Sequence, residues 1–214
     1  MIPAKRPLIY LITEGRADPS NYTTESERIL DLIAHAVESG IPLIQIREKN
    51  LPAKLLYTLA REAAYLVRKC GASRLLINDR ADIARAAGAD GVHLTWRSLG
   101  VEVVKRIFPE LIVGVSTHTI AEAESAKSGG ADFCVFGPVF DSPGKGNPVG
   151  IELLREVSEQ LCPLPVLGLG GIDESNFGAV VSASAGFAAI RFLNNPENLN
   201  RLSELCLANR HERH

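Results

Sequence analysis

The sequence of 214 residues carries no excess of positive charge, no paired-cysteine motif and no long apolar run. Its 23 Lys and Arg stand against 25 Asp and Glu, a formal net charge of −2. That excludes nucleic acid and membrane surfaces as expected partners, since both require clustered positive charge. Cys70, Cys134, Cys162 and Cys206 are scattered, with neither a Cys-x-x-Cys pair nor a histidine at ligand spacing. They read as reduced thiols of a cytoplasmic protein, not as a disulfide framework or a zinc site. The apolar stretch Pro7-Leu8-Ile9-Tyr10-Leu11-Ile12 is too short for a signal sequence and runs into Thr13-Glu14-Gly15-Arg16, which offers no small-residue cleavage site. With 46% hydrophobic, 22% charged and 6% aromatic residues, the chain has globular composition. A chain of this length buries roughly 70% of its unfolded surface and needs no disulfide or metal to fold. No Pro/Ser-rich linker divides it, so residues 1–214 read as one domain with a polar tail from residue 208 that holds His211 and His214.

Short apolar runs alternate with helix-period segments from end to end. The runs are 8–13, 43–47, 75–78, 91–94, 112–116, 133–136, 165–169 and 186–192. Most are continuous Val, Ile, Leu and Ala blocks, as expected of strands covered on both faces in a parallel sheet. Eight βα units in this length predict a (β/α)8 TIM barrel, and the count favours it over a doubly wound sheet built from the same units. Thr24-x-x-Glu27 predicts a capping box, followed by an apolar stripe of Ile29, Ile33, Ala36 and Val37 that Gly40 stops. A second stripe, Leu55 to Val67, closes at Gly71, and later helices are expected over 99–108, 119–128, 151–161, 174–181 and 196–207. Three helix stops feed directly into strands: Gly88-Ala89-Asp90, Gly130-Ala131-Asp132 and Ser184-Ala185-Gly186. They read as one unit reused, with Asp90 and Asp132 as turn residues.

In a barrel of this kind, chemistry gathers at the C-terminal ends of the strands. Those ends carry Gln45, Arg47, Glu48 and Lys49, then Asn78, Asp79 and Arg80, then His93, Ser116, Thr117 and His118. Asp141, Ser142 and Lys145 follow the sixth run, Gly168-Leu169-Gly170-Gly171 closes the seventh, and Arg191 lies in the eighth. Arg47, Lys49, Lys145 and Arg191 make the rim locally basic, which suits a phosphorylated ligand. For each base alone, pairing with a neighbour such as Glu48 or Asp141 is the blander expectation. The glycine turn offers backbone N–H groups to phosphate oxygens but lacks the third glycine of a dinucleotide fingerprint. Asp79 reads equally as a Mg²⁺ ligand or a helix cap. His118 reads as a proton carrier or as a polar residue opening a helix, and His93 as a hydrogen-bonded core histidine. Trp96 stacks on a ring or caps the barrel.

Taken in order, Gln-Ile-Arg-Glu-Lys (45–49), Ile-Asn-Asp-Arg (77–80), Gly-Ala-Asp-Gly-Val-His-Leu (88–94), Gly-Val-Ser-Thr-His-Thr (114–119), Phe-Gly-Pro-Val-Phe (136–140) and Gly-Gly-Ile (170–172) resemble motifs of the thiamine phosphate synthase and thiazole tautomerase superfamily. The resemblance implies coupling of a hydroxymethylpyrimidine diphosphate to a thiazole phosphate with release of pyrophosphate. It assigns Gln45, Arg47, Lys49 and Asn78 to the pyrimidine diphosphate, Asp79 to Mg²⁺, and Ser116 and Lys145 to the pyrophosphate. Ser142, Gly171 and the Ile190–Arg191 backbone would face the thiazole phosphate. Small phosphorylated substrates are thus the expected partners, and a homodimer is compatible with the pattern. Three departures fall on ligand positions. Thr95-Trp96-Arg97-Ser98 stands where the synthase pattern has Gly-Gln-x-Asp, so Ser98 takes the place of a second metal carboxylate. Gly144 replaces a Thr, and Arg191 replaces a Ser. The sister activity, thiazole tautomerisation, needs no Mg²⁺ and matches His118 as its acid/base residue. A degenerate barrel that only binds a thiamine precursor is the third reading.

Overall fold

The eight apolar runs become eight parallel strands: β1 (Leu8–Ile12), β2 (Leu43–Ile46), β3 (Arg74–Asn78), β4 (Gly91–Leu94), β5 (Ile112–Thr117), β6 (Phe133–Phe136), β7 (Val166–Leu169) and β8 (Gly186–Ala189). They pair in sequence order and β8 returns to β1, Leu8 opposite Gly186, closing the barrel. The coordinates are a computed structural model that describes residues 7–208. The expected tail with His211 and His214 lies outside the described residues. Helices α1 (Tyr22–Glu38), α2 (Ala53–Cys70), α3 (Ala81–Ala87), α4 (Val101–Ile107), α5 (Ile120–Ser128), α6 (Gly150–Gln160), α7 (Phe177–Ala183) and α8 (Pro196–Ala208) follow the strands in turn. Among the described residues no helix is long and apolar enough to cross a membrane.

Two apolar layers hold the barrel, and the strand period of two separates them. Leu8, Tyr10, Leu43, Leu76, Phe133, Leu167 and Ala188 pack inside the barrel. Their neighbours in sequence, such as Ile9, Ile44, Leu75 and Phe187, belong to the layer between sheet and helices. Continuous apolar runs are what this double burial demands. Gly186 is fixed by a close approach: a Cβ there would lie 2.0 Å from the Leu8 carbonyl oxygen, so only glycine lets β8 close on β1.

The capping box at Thr24 is not realised, because α1 begins two residues earlier. Asp18 Oδ1 accepts from the Ser20 and Asn21 amides at 2.7 and 3.2 Å, and this local turn starts the helix. Asn21 stands at the N-cap without a side-chain cap bond. Gly71 ends α2 in the left-handed conformation, as expected. Asp90 and Asp132 are turn residues with a second task. Asp90 Oδ2 accepts from the Leu75 amide at 2.8 Å, and Asp132 Oδ2 accepts from the Val113 amide at 2.7 Å. Each carboxylate thus locks the strand next door at the end of the barrel away from the rim.

Candidate active site

The segment after β2 carries Arg47, Glu48 and Lys49 to the rim. Gln45 is an inward residue of β2, and Arg47 and Lys49 share its parity. Glu48, between them, is 2% exposed. Its carboxylate accepts from Thr13 Oγ1 at 2.6 Å, from the Gly15 amide at 3.0 Å and from the Ala17 amide at 2.8 Å. The Arg47 amide in turn donates to Thr13 Oγ1 at 2.8 Å. Glu48 therefore ties the β1–α1 loop to β2 and does not neutralise its basic neighbours, which corrects the pairing expectation. Among the described residues, none of Arg47, Lys49, Arg97, Lys145, Arg191 or Asp141 takes part in an ion pair. The cations share one field: the Lys49 ammonium is lowered from its usual range by partial burial, then by Arg47, Lys145 and Arg97, with Asp79 opposing.

Lys49, Asn78, Asp79, Arg80, Thr95 and Arg97 line a cavity of about 270 Å³ at the ends of β2, β3 and β4. Arg80 is forked onto Asp82 at 2.8 and 2.6 Å. Asp79 has φ +64°, the one positive value among the described non-glycine residues. Its amide donates to the His93 carbonyl at 2.9 Å, which holds the residue in a conformation that side chains rarely adopt. The helix-cap alternative fails, since Arg80 occupies the N-cap of α3 and no side chain caps it. A larger groove of about 620 Å³ is lined only by α1 and α2, with Leu30, Ala34, Tyr65 and Leu66 among its walls. It contains none of the expected site residues.

Below the cavity, the barrel interior turns polar. Gln45 Nε2 donates to Asn78 Oδ1 at 3.0 Å, and His93 Nε2 lies 2.8 Å from Ser116 Oγ. The other atoms of these groups, Gln45 Oε1 and His93 Nδ1, are buried without a partner, as is the Tyr10 hydroxyl. Tyr10 and His93 have ring centroids 5.5 Å apart, and Phe133 meets Tyr10 edge-on at 5.4 Å. His93 is the buried histidine its strand position predicted, but only half satisfied. Burial, then the Arg47 charge, pushes its pKa down to about 3, so the ring is neutral through the physiological range. Burial raises the Tyr10 hydroxyl well above its usual range, keeping it protonated. Tyr10 escaped the sequence reading. The signal that could have found it was parity, because Tyr10, Gln45, Asn78, His93 and Ser116 all take inward positions of their strands.

The opposite side of the rim is built around glycine. Gly170 and Gly171 have φ +102° and +64°, and a Cβ on Gly171 would sit 2.5 Å from the Asp141 carbonyl oxygen. The turn therefore packs on the loop after β6 that carries Ser142 and Lys145, where the Lys145 amide donates to the Ser142 carbonyl at 3.1 Å. Asn176 Nδ2 donates to the Gly171 carbonyl at 2.9 Å, fixing the turn from outside. His118 stands two residues ahead of α5. Its amide donates to Glu122 Oε2 at 2.6 Å ahead of α5, and its Nδ1 lies 2.5 Å from the Gly137 carbonyl. A carbonyl only accepts, so Nδ1 carries a proton and donates it to Gly137. No described contact joins His118 to the cationic cluster. Arg191 lies beyond the end of β8 and is exposed, and the Ile190 carbonyl is taken by the Asn194 amide and Nδ2 at 3.0 and 2.7 Å.

The turn after β4 departs most from expectation. Ser98 Oγ accepts from the Thr95 amide at 2.8 Å, so its hydroxyl is spent on the turn. Trp96 neither caps the barrel nor packs in it: it is 76% exposed and carries the Arg97 guanidinium on its face, 4.6 Å from the ring centroid. Among the described residues no three His, Cys, Asp or Glu side chains gather as a metal site. Glu48 also lines the cavity, but its carboxylate is taken by the β1–α1 loop, which leaves Asp79 as the carboxylate open to an ion. That set fits a Mg²⁺ ion completed by phosphate oxygens and water, and does not fit an ion held by the protein alone.

Fold and rim together define a (β/α)8 barrel with a cationic, polar mouth, the layout of a small-molecule enzyme. The chain belongs to the thiamine monophosphate synthase family, whose model matches residues 9–192. It is 40% identical over 186 residues to a putative thiamine-phosphate synthase of Geobacter sulfurreducens, covering 85% of this chain and 84% of that one. It is 37% identical over 193 residues to a thiamine-phosphate synthase of a Roseiflexus species, covering 88% and 78%. Among solved structures, thiamine phosphate pyrophosphorylase from Pyrococcus furiosus superposes with a TM-score of 0.78 at 31% identity, over 94% of this chain and 97% of that one.

Proposed function

We propose that this chain is a thiamine-phosphate synthase, a transferase of thiamine biosynthesis that joins hydroxymethylpyrimidine diphosphate to a thiazole phosphate. The observation that carries the reading is the gathering of Arg47, Lys49, Lys145 and Arg97 in one field, without ion pairs among the described residues, around Asp79. The difficult step breaks the C–O bond to pyrophosphate. The electron pair leaves on oxygen, the pyrimidine carbon becomes cationic, and a bond to the thiazole then forms. Fixed cations strengthen their hold as that negative charge develops, which lowers the barrel's barrier to ionisation. Mg²⁺, held by Asp79 and the diphosphate, would supply further charge neutralisation.

The polar interior suits the pyrimidine. Gln45 Oε1, His93 Nδ1 and the Tyr10 hydroxyl offer buried, unpaired groups to a heterocycle that bears both donors and acceptors. Ser116, held by the neutral His93 ring, would contact the pyrophosphate beside Lys145. Ser142, the Gly171 turn and the Ile190–Arg191 segment would take the thiazole phosphate, with the unpaired Arg191 as a clamp. The reading carries a cytoplasmic setting in which Cys70, Cys134 and Cys162 stay reduced; none of the three is in a disulfide.

One observation favours thiazole tautomerisation as a second reading: the fixed Nδ1–H of His118 presents Nε2 for proton transfer. A tautomerase has no leaving group for the cationic set, so the synthase comes first. The two separate in one experiment, with purified protein, Mg²⁺ and the substrates of each reaction. The synthase reading expects pyrophosphate release matched by thiamine phosphate. No pyrophosphate at high enzyme concentration would remove it, and solvent deuterium entering the thiazole carboxylate phosphate, lost in His118→Ala, would establish the tautomerase instead.

A further inference from the structure

The turn after β4 brings a cation to the cavity one residue before Ser98, the position where the resemblance implies a metal carboxylate. Arg97 lines the same cavity as Lys49, Asn78 and Asp79. Two bonds define its turn: the Ser98 amide donates to the Thr95 carbonyl at 2.9 Å, and the Thr95 amide donates to Ser98 Oγ at 2.8 Å. The guanidinium lies on the Trp96 ring, 4.6 Å from its centroid, and makes no ion pair among the described residues. A stacked guanidinium loses little further freedom when it binds, and its N–H edge stays open to phosphate oxygens. Its charge reaches Lys49, as do those of Arg47 and Lys145. Four cations then gather at Asp79, the other cavity carboxylate, Glu48, is taken up by the β1–α1 loop, and Ser98 brings no carboxylate to recruit a divalent ion. This is the balance of a site that grips a diphosphate directly.

We propose that Arg97, braced on Trp96, is a diphosphate ligand that supplies by direct contact the charge neutralisation a divalent cation would otherwise bring. The chain then binds diphosphate without Mg²⁺, and Mg²⁺ adds to that grip without being required for it. The inference rests on the synthase reading and assigns this one side chain a role within it.

Inorganic pyrophosphate is the probe, titrated into the full chain first in EDTA and then in Mg²⁺. Heat of binding is followed by calorimetry, and emission from Trp96, the one tryptophan of the sequence, reports on the stack itself. Wild-type protein is expected to bind in EDTA with a change in Trp96 emission, and with affinity within about threefold of that in Mg²⁺. Loss of a charge-assisted contact in Arg97→Ala should weaken EDTA binding about 10- to 100-fold, with Arg97→Lys in between. A thermal melt unchanged in both variants shows that the fold is intact. Binding that appears only with Mg²⁺, or an Arg97→Ala variant that binds as wild type in EDTA, overturns the role of Arg97 and leaves the synthase reading standing. No pyrophosphate binding under either condition overturns the synthase reading itself, and this proposal with it.

Discussion

Arg47→Ala lowers kcat for pyrophosphate release by about two to three orders of magnitude, the cost of removing one fixed donor from a developing anion. Arg47 is chosen over Lys145 because it is half-buried at the end of β2, whereas Lys145 is exposed on a loop. Its amide is tied to Thr13, and the positive φ of Gly15 lets the β1–α1 loop lie against it: a Cβ there would come 3.2 Å from Arg47 Nη1. A donor held this way needs no reorganisation as the C–O bond breaks, so its loss falls on kcat. Stability should hardly change, because the guanidinium makes no ion pair whose partner would be stranded. Steady-state kinetics with saturating substrates, beside a urea unfolding curve, provide the check. Turnover within threefold of wild type would take Arg47 out of the chemistry.

Glu48→Ala has the opposite signature, a large loss of stability. The buried carboxylate accepts three hydrogen bonds from the β1–α1 loop. Removing it strands the Thr13 hydroxyl and the Gly15 and Ala17 amides, and charge-assisted bonds to a buried group are the costly ones to lose. The expected destabilisation is about 3–5 kcal/mol, read from the urea midpoint at constant slope. Glu48→Gln keeps the shape and can keep the Thr13 and Gly15 bonds on its carbonyl oxygen, but sets an NH2 against the Ala17 amide, so it should cost less than Glu48→Ala and more than nothing. Activity in Glu48→Ala also falls, since Thr13 bridges Glu48 to the Arg47 amide. A loss below about 1 kcal/mol would mean that the loop is held by other contacts.

The barrel was legible because double burial leaves a plain mark: eight apolar runs, each followed by a helix, and glycine stops at 71 and 88. Helix starts were less so. The α1 start is made by Asp18 and Asn21 in a local turn, and Thr24 and Glu27 only imitate a capping box. In the site, polar residues within or at the end of an apolar run, such as Gln45, Asn78 and Ser116, announced themselves. Tyr10 did not, because an aromatic in an apolar strand looks like packing until its hydroxyl is found buried and unpaired. Glu48 misled because its carboxylate is taken by the Thr13 hydroxyl and the Gly15 and Ala17 amides, partners more than thirty residues away that the local sequence does not announce. Asp79 was ambiguous until its backbone was known, since a left-handed aspartate and a helix cap are written with the same letter. Arg97 and Trp96 were beyond sequence reasoning, because nothing in four residues of turn tells which way a guanidinium points.

The most direct test of the electropositive mouth is a crystal of the protein soaked in pyrophosphate. The account expects the anion at the ends of β2, β3 and β4, within hydrogen-bond reach of Arg47 and Lys49. Pyrophosphate held instead in the larger groove between α1 and α2, against Arg61 and Arg68, with the barrel mouth unchanged, would contradict it.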